Sequence, residues 1–253
     1  MPSCVETPAP LHPASPGPAP WIAMYHSVGD RSEDPYRITV TPARLERQLR
    51  WLRRRGLRGV SVAELLAARA RGEGRYLVGL TFDDGYADFT VNALPVLTRW
   101  RCTATLFVLP GRLGGDNAWD PLGPRRPLLS ADGIRRAAAA GIEIGSHGLT
   151  HVDLTRADDA RLRDETAESR ALLEELTGSP VAGFCYPYGT VDRRAVEAVR
   201  AAGYGYACAI DPGGLNGPHV LPRVHIGQND HAVRLFLKYR LHRLRRRPVE
   251  GLR

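Results

Sequence analysis

LTFDDGYADF (residues 80–89) closes an apolar run, YLVGLTF (76–82), with two adjacent aspartates and a glycine, and leads into ADFTVNALPVLTRW (87–100), a helical pattern. Strand, turn and helix in that order make one βα unit. Asp-Gly is by itself a turn signal, so a turn accounts for one carboxylate. It does not account for two carboxylates side by side where a buried strand stops.

The same alternation runs outward in both directions. WIAMYHSV (21–28), TATLFVL (103–109), IEIGSH (142–147), VAGFCYPYG (181–189), YGYACAI (204–210) and LPRVHI (221–226) read as strands. Helical patterns separate most of them. TPARLERQLRWLRRRG (41–56) has Thr41 as N-cap, Pro42 at the first helical position and Leu45, Leu49 and Leu52 on one face. SVAELLAARARG (61–72) has the Ser61/Glu64 spacing of a capping box, and SADGIRRAAAAG (130–141) stops at Gly141. The long 157–178 pattern places Leu172, Leu173 and Leu176 inward and stops at Gly178, and TVDRRAVEAVRAAG (190–203) comes next. Strands alternating with helices predict a parallel α/β sheet, and the pattern alone leaves an open sheet and a closed barrel equally open.

Composition fits one soluble domain. The 253 residues are 43% hydrophobic and 25% charged, and the four cysteines contain no Cys-x-x-Cys pair, which argues against a disulfide framework or a cysteine zinc site. The net charge of +8 is concentrated at one end. Residues 231–253 carry eight basic side chains against Glu250, a net +7, leaving +1 for the other 230 residues. That distribution predicts no nucleic-acid-binding face. Residues 1–19 are rich in Pro, Ala and Ser and read as a disordered tail. They lack the basic start and apolar run of a secretory signal, so a cytoplasmic protein is expected. The resulting division is a tail (1–19), a catalytic domain (20–230) and a basic C-terminal helix or tail (231–253). In the last segment Val233, Leu237, Leu241 and Leu244 form a helical stripe with Arg234, Lys238 and Arg245 elsewhere around it. Such a helix either packs on the domain or makes a weak contact with an anionic membrane, which would place the protein at the inner membrane face.

In parallel α/β folds, functional groups collect at the carboxyl ends of the strands. Those ends carry His26, Asp83 and Asp84, His147, the Tyr186–Gly189 turn, and Arg223 and His225. GSHGLTHVDL (145–154) spaces His147 and His151 at i, i+4, which on a helical turn or helix-like loop brings both imidazoles to one side. Two imidazoles and a carboxylate form an open first-row metal site, with Asp84 as the carboxylate. Asp83, beside the metal and not on it, is then free to take a proton from an activated water.

TFDDGYADF, SHGLTHVDL and FCYPYG, in that order, resemble the first three motifs of the polysaccharide deacetylase family, the chitooligosaccharide deacetylase homology domain of carbohydrate esterase family four. The resemblance spans about residues 20–230. It implies a deformed (β/α) barrel of about seven parallel strands and one divalent metal, zinc first among the first-row ions. The implied reaction removes the acetyl group from an N-acetylated sugar. It further implies Asp83 as base, Asp84, His147 and His151 as metal ligands, and the Tyr188 backbone amide after Pro187 as oxyanion donor. Two departures stand out. The family's third motif carries an arginine where this chain has Cys185, which leaves Arg223 of LPRV to hold Asp83. The late Leu-x-His that supplies the general acid is not cleanly present. MYHSV (24–28) is similar to the opening of the poly-N-acetylglucosamine deacetylase branch, which makes His26 the expected acid, with His225 as its rival. The other readings are an amidohydrolase acting on a small amide and a non-catalytic carbohydrate-binding relative.

Overall fold

The computed structural model describes residues 19–210 and 212–245. The expectations for residues 1–18 and 246–253 lie outside the described residues. Along the chain come β1 (Ile22–Tyr25), β2 (Ser27–Val28), β3 (Thr39–Val40), α1 (Pro42–Arg53), β4 (Arg58–Val60), α2 (Val62–Ala70) and β5 (Leu77–Phe82). The middle of the chain forms α3 (Leu94–Arg99), β6 (Thr105–Val108), α4 (Ala131–Ala139), β7 (Glu143–Ser146), α5 (Asp159–Arg163) and α6 (Ser169–Thr177). The last elements are β8 (Gly183–Cys185), α7 (Arg193–Ala201), β9 (Tyr206–Ala209), β10 (Leu221–Pro222), β11 (Val224–His225) and α8 (Ala232–Arg245).

Every paired strand in the main sheet is parallel, in the order β10-β9-β8-β7-β6-β5-β1-β11, with β4 also on β5. The two ends of that path are one piece of chain. Leu221 and Pro222 pair with β9, Val224 and His225 pair with β1, and Arg223 stands between them. The sheet therefore curls into a nearly closed barrel. β4 takes the lower half of β5's second edge and β6 the upper half, so β4 wedges into the wall.

Strand alternation sorts the side chains. Leu80, Phe82, Leu106, Val108, Phe184 and Ala207 point out and pack with helical residues such as Leu49, Leu97, Ile134, Leu173 and Val199. Ile22, Phe107, Cys185, Tyr206, Cys208 and Leu221 form a second buried cluster in the bore. By the same alternation Thr81 and Asp83 share the bore face of the 77–83 segment.

The starts of α1, α2, α4, α5 and α7 are side-chain capped. Thr41, Ser61, Ser130, Asp158 and Asp192 each accept from a backbone N–H in the first turn of the adjoining helix. Glu64 does not return the capping bond expected of it, since its carboxylate binds Arg58 and Thr103. The predicted 157–178 helix exists, but residues 164–168 form a π-helical turn. That turn adds a residue and rotates the rest of the helix, so Leu173 is buried while Leu172 is exposed. The helix before Pro95 likewise opens as a π turn at 89–93. The 21–28 strand breaks at His26, after which Ser27 and Val28 leave the barrel to pair with Thr39 and Val40.

Candidate active site

The ends of β1, β5, β7, β8 and β9, with Arg223, surround an open cavity of about 230 Å³. A larger hollow of about 320 Å³ beside α7 contains none of these residues. On the floor of the first, Asp84 follows β5 with φ 72°, a left-handed conformation rare outside glycine. His151 (φ 70°) and Tyr188 (φ 60°) are in the same region, so three of the five non-glycine residues with positive φ among the described residues line one cavity. Such backbone persists where its surroundings hold it.

Glu165 does much of the holding around the histidines. Fully buried in the π-helical turn, it accepts the N–H groups of Leu149 (2.6 Å) and Thr150 (3.0 Å) and the Thr150 hydroxyl (2.6 Å). Arg161 pairs with it at 2.9 Å. The 147–151 segment is thus an irregular loop pinned by a carboxylate, not a helical turn. Gly148 (φ 83°) is required there, because a Cβ would lie 2.7 Å from Glu165 Oε2.

His147 Nε2 and His151 Nε2 approach Asp84 Oδ1 at 3.3 and 3.4 Å. The His147 Nδ1 is 2.8 Å from the Cys185 carbonyl, so a proton there donates to the carbonyl and leaves the Nε2 lone pair facing Asp84. Asp84 Oδ1 is buried and accepts no aligned hydrogen bond. Burial would raise the Asp84 carboxyl, but His147 and His151 hold it well below its ordinary value. Two imidazole lone pairs and a carboxylate oxygen converging on one point fit a divalent cation. The neighbouring Asp83, His147 and Cys185 group does not fit one, because the Cys185 sulfur accepts from Arg223 at 2.9 Å.

Asp83 is clamped. Arg223 Nη1 donates to Oδ1 at 2.6 Å and Nη2 to Oδ2 at 2.7 Å, with both side chains almost wholly buried. Burial pushes the Asp83 carboxyl up, and Arg223, then His147 and His26, outweigh it and keep it below its usual value. The small thiol of Cys185 leaves the room that the guanidinium occupies, since one Arg223 nitrogen contacts both groups.

His26 Nε2 lies 3.9 Å from Asp83 Oδ2 at the cavity edge, and its Nδ1 is buried with no hydrogen-bond partner among the described residues. His225 sits behind it, ring centroids 6.4 Å apart, and does not line the cavity. Burial, with His26 and Lys238 adding, lowers His225 to about 4. Trp119 stacks on His151 (4.5 Å, 13°), and Tyr188 meets the same ring edge-on at 4.5 Å. Trp119 and its neighbour Asp120 come from the β6–α4 connection, where no periodicity marks them. A tryptophan in a polar loop was the only signal the sequence offered.

The polysaccharide deacetylase family model matches residues 70–207, more than half of the chain, including Asp83, Asp84, His147, His151 and the Cys185–Tyr188 turn. This chain belongs to the polysaccharide deacetylase family. His26, Arg223 and His225 lie outside the part of this deacetylase that the model matches. YxkH of Bacillus subtilis (strain 168) is 25% identical over 210 residues, 81% of this chain and 70% of the relative. The poly-beta-1,6-N-acetyl-D-glucosamine N-deacetylase of Staphylococcus aureus is 21% identical over 204 residues, 76% of this chain and 69% of that protein. In fold, the deacetylase is similar to the Streptococcus pyogenes deacetylase PplD, with a TM-score of 0.75 and 24% identity over 88% of this chain and 99% of the other.

Proposed function

We propose that this protein hydrolyses the N-acetyl group of an acetamido sugar to acetate and a free amine, using zinc held by Asp84, His147 and His151. The observation that carries the reading is an ionised carboxylate, clamped at both oxygens by Arg223, directly beside three converging metal donors on the floor of an open cleft. Zinc there would supply Lewis acidity for the amide carbonyl and acidify water.

The chain's own residues divide the remaining work. Asp83 keeps lone pairs beyond those given to Arg223 and takes the proton from the attacking water. The Tyr188 N–H, turned by its left-handed backbone, donates to the oxygen that gains negative charge. His26 returns a proton to the departing nitrogen. It borders the cavity, whereas His225 is set back and held neutral near pH 7 by a pKa of about 4. Tyr36, Trp119 and Tyr188 give the cleft aromatic faces suited to a sugar ring. The S. aureus relative is named for a β-1,6-linked N-acetylglucosamine polymer, which makes oligomers of that sugar the first substrates to try.

Acetate release from β-1,6- and β-1,4-linked N-acetylglucosamine oligomers tests the reading, with simple N-alkyl acetamides as controls. Release from a sugar oligomer, lost in His147→Ala and His151→Ala together with bound zinc, is the expected result. Turnover of the simple amides alone would favour a small-amide hydrolase, and a metal-loaded protein inert on both would favour a binding role.

A further inference from the structure

The basic C-terminal helix presents an apolar face that no described residue covers. α8 packs on the barrel through Leu235, through Tyr239 against Trp21 (5.0 Å), through Lys238 to Asp230 and the His225 carbonyl, and through His242 to the Pro20 carbonyl. Val233, Leu237 and Leu241 of the stripe noted in the sequence are on the other side, joined there by Phe236, while the Leu244 side chain lies outside the described residues. Val233, Phe236, Leu237 and Leu241 are 62%, 43%, 49% and 37% exposed. A helix that only closed a core would turn these residues inward.

Charge limits what can cover the face. α8 contains no acidic residue, and Arg234 and Arg240 are exposed on it. The Arg240 and Arg55 guanidiniums each lie 5.9 Å from the Phe236 ring, with exposed Arg54 next in the chain. A two-fold contact with a second copy would set this arginine-bearing face against another like it, and α8 offers no acidic residue to pair with the arginines. Nucleic acid would answer the charge but not the apolar centre. At 14 residues, about 21 Å long, the helix is too short to cross a hydrocarbon layer of roughly 30 Å, and no described helix is long and apolar enough to do so. An apolar stripe flanked by arginines suits a helix lying in the plane of a bilayer surface.

We infer that the outward face of α8 docks on a membrane surface rich in anionic lipid. Val233, Phe236, Leu237 and Leu241 enter the headgroup boundary while Arg55, Arg234 and Arg240 meet lipid phosphates. The helix begins at the mouth end of the barrel, after β11, and runs back to Trp21 and Pro20 at its base, so docking lays the barrel on its side with the cleft opening along the lipid surface. The inference does not depend on the proposed reaction.

Flotation of the full chain with phosphatidylcholine vesicles, with and without one-third phosphatidylglycerol, tests it. Wild type floats with the anionic vesicles and stays behind with the neutral ones. Leu237→Gln/Leu241→Gln lowers the partition coefficient at least tenfold, and Arg234→Gln/Arg240→Gln lowers it about fivefold per arginine. All four positions are exposed, so both variants keep the wild-type unfolding midpoint. Wild type that ignores anionic vesicles overturns the inference, as does flotation undiminished in both variants. A wild-type dimer in sedimentation, lost in the leucine variant while vesicles capture neither protein, would make the face a contact between copies and overturn it as well.

Discussion

Asp83 and Asp84 are adjacent in sequence yet point to different partners, and backbone geometry separates them. Asp83 continues the bore-facing alternation of β5 and meets Arg223, while the left-handed turn at Asp84 carries the next carboxylate to the histidines. Asp83→Asn is expected to keep bound zinc and lose hydrolysis on the order of 10²-fold or more. It should also be less stable by roughly 3–5 kcal/mol, because Arg223 is left buried without its counter-charge. Near-normal turnover in that variant would reduce Asp83 to a structural turn residue. His26→Ala is expected to cost roughly 10²–10⁴-fold in turnover with metal retained, and His225→Ala far less. The reverse order in kinetics on one acetylated oligomer would transfer the acid role to His225. That Asp84, His147 and His151 come together beside Asp83 was legible because adjacency and i, i+4 spacing survive in a one-dimensional string. Arg223 was legible only as a candidate once Cys185 stood where an arginine was expected. Trp119, Asp120 and Glu165 carry no such spacing, and only the fold brings them to the site.

At the scale of elements, the parallel strands were legible from apolar runs and the helices from caps and glycines, but irregularities were not. β4 is three residues with an exposed Arg58, too short to register as a run. The break of the first strand at His26, the left-handed loop at 147–151 and the π turn at 164–168 are local departures set by tertiary partners. The last two depend on each other, since Glu165 projects from the π turn into the histidine loop. Glu165→Ala removes the acceptor for two backbone N–H groups and a hydroxyl, and leaves the loop free to relax away from Asp84. Metal affinity is expected to fall about 10–100-fold, as for other supports of metal ligands. A competition titration with a coloured chelator reads this directly. Wild-type affinity in the folded variant would show that the loop holds its shape without the carboxylate.

The whole molecule closes on a single short segment. Whether the parallel sheet was open or a barrel could not be read from periodicity, because closure rests on two residues on each side of Arg223 that pair with opposite neighbours. That junction also supplies the clamp on Asp83, so the residue that joins the two edges of the sheet also fixes the carboxylate. The metal donors add a second tie. Asp84 follows β5 and the histidines follow β7, with β6 between them, so a bound ion links two loops across an intervening strand. An ion that binds this arrangement and not the unfolded chain stabilises by about 4 kcal/mol at a thousandfold excess over its dissociation constant. For a domain of this size each kcal/mol moves the midpoint about 2–4 °C, so loaded and chelator-treated protein should unfold about 8–16 °C apart. Differential scanning calorimetry before and after chelation measures the gap, and restoring it with zinc, cobalt or nickel in turn ranks the ions. In His147→Ala and His151→Ala the gap should close. A wild-type midpoint indifferent to chelator and to added zinc alike would mean that the three donors, however well they converge, hold no ion.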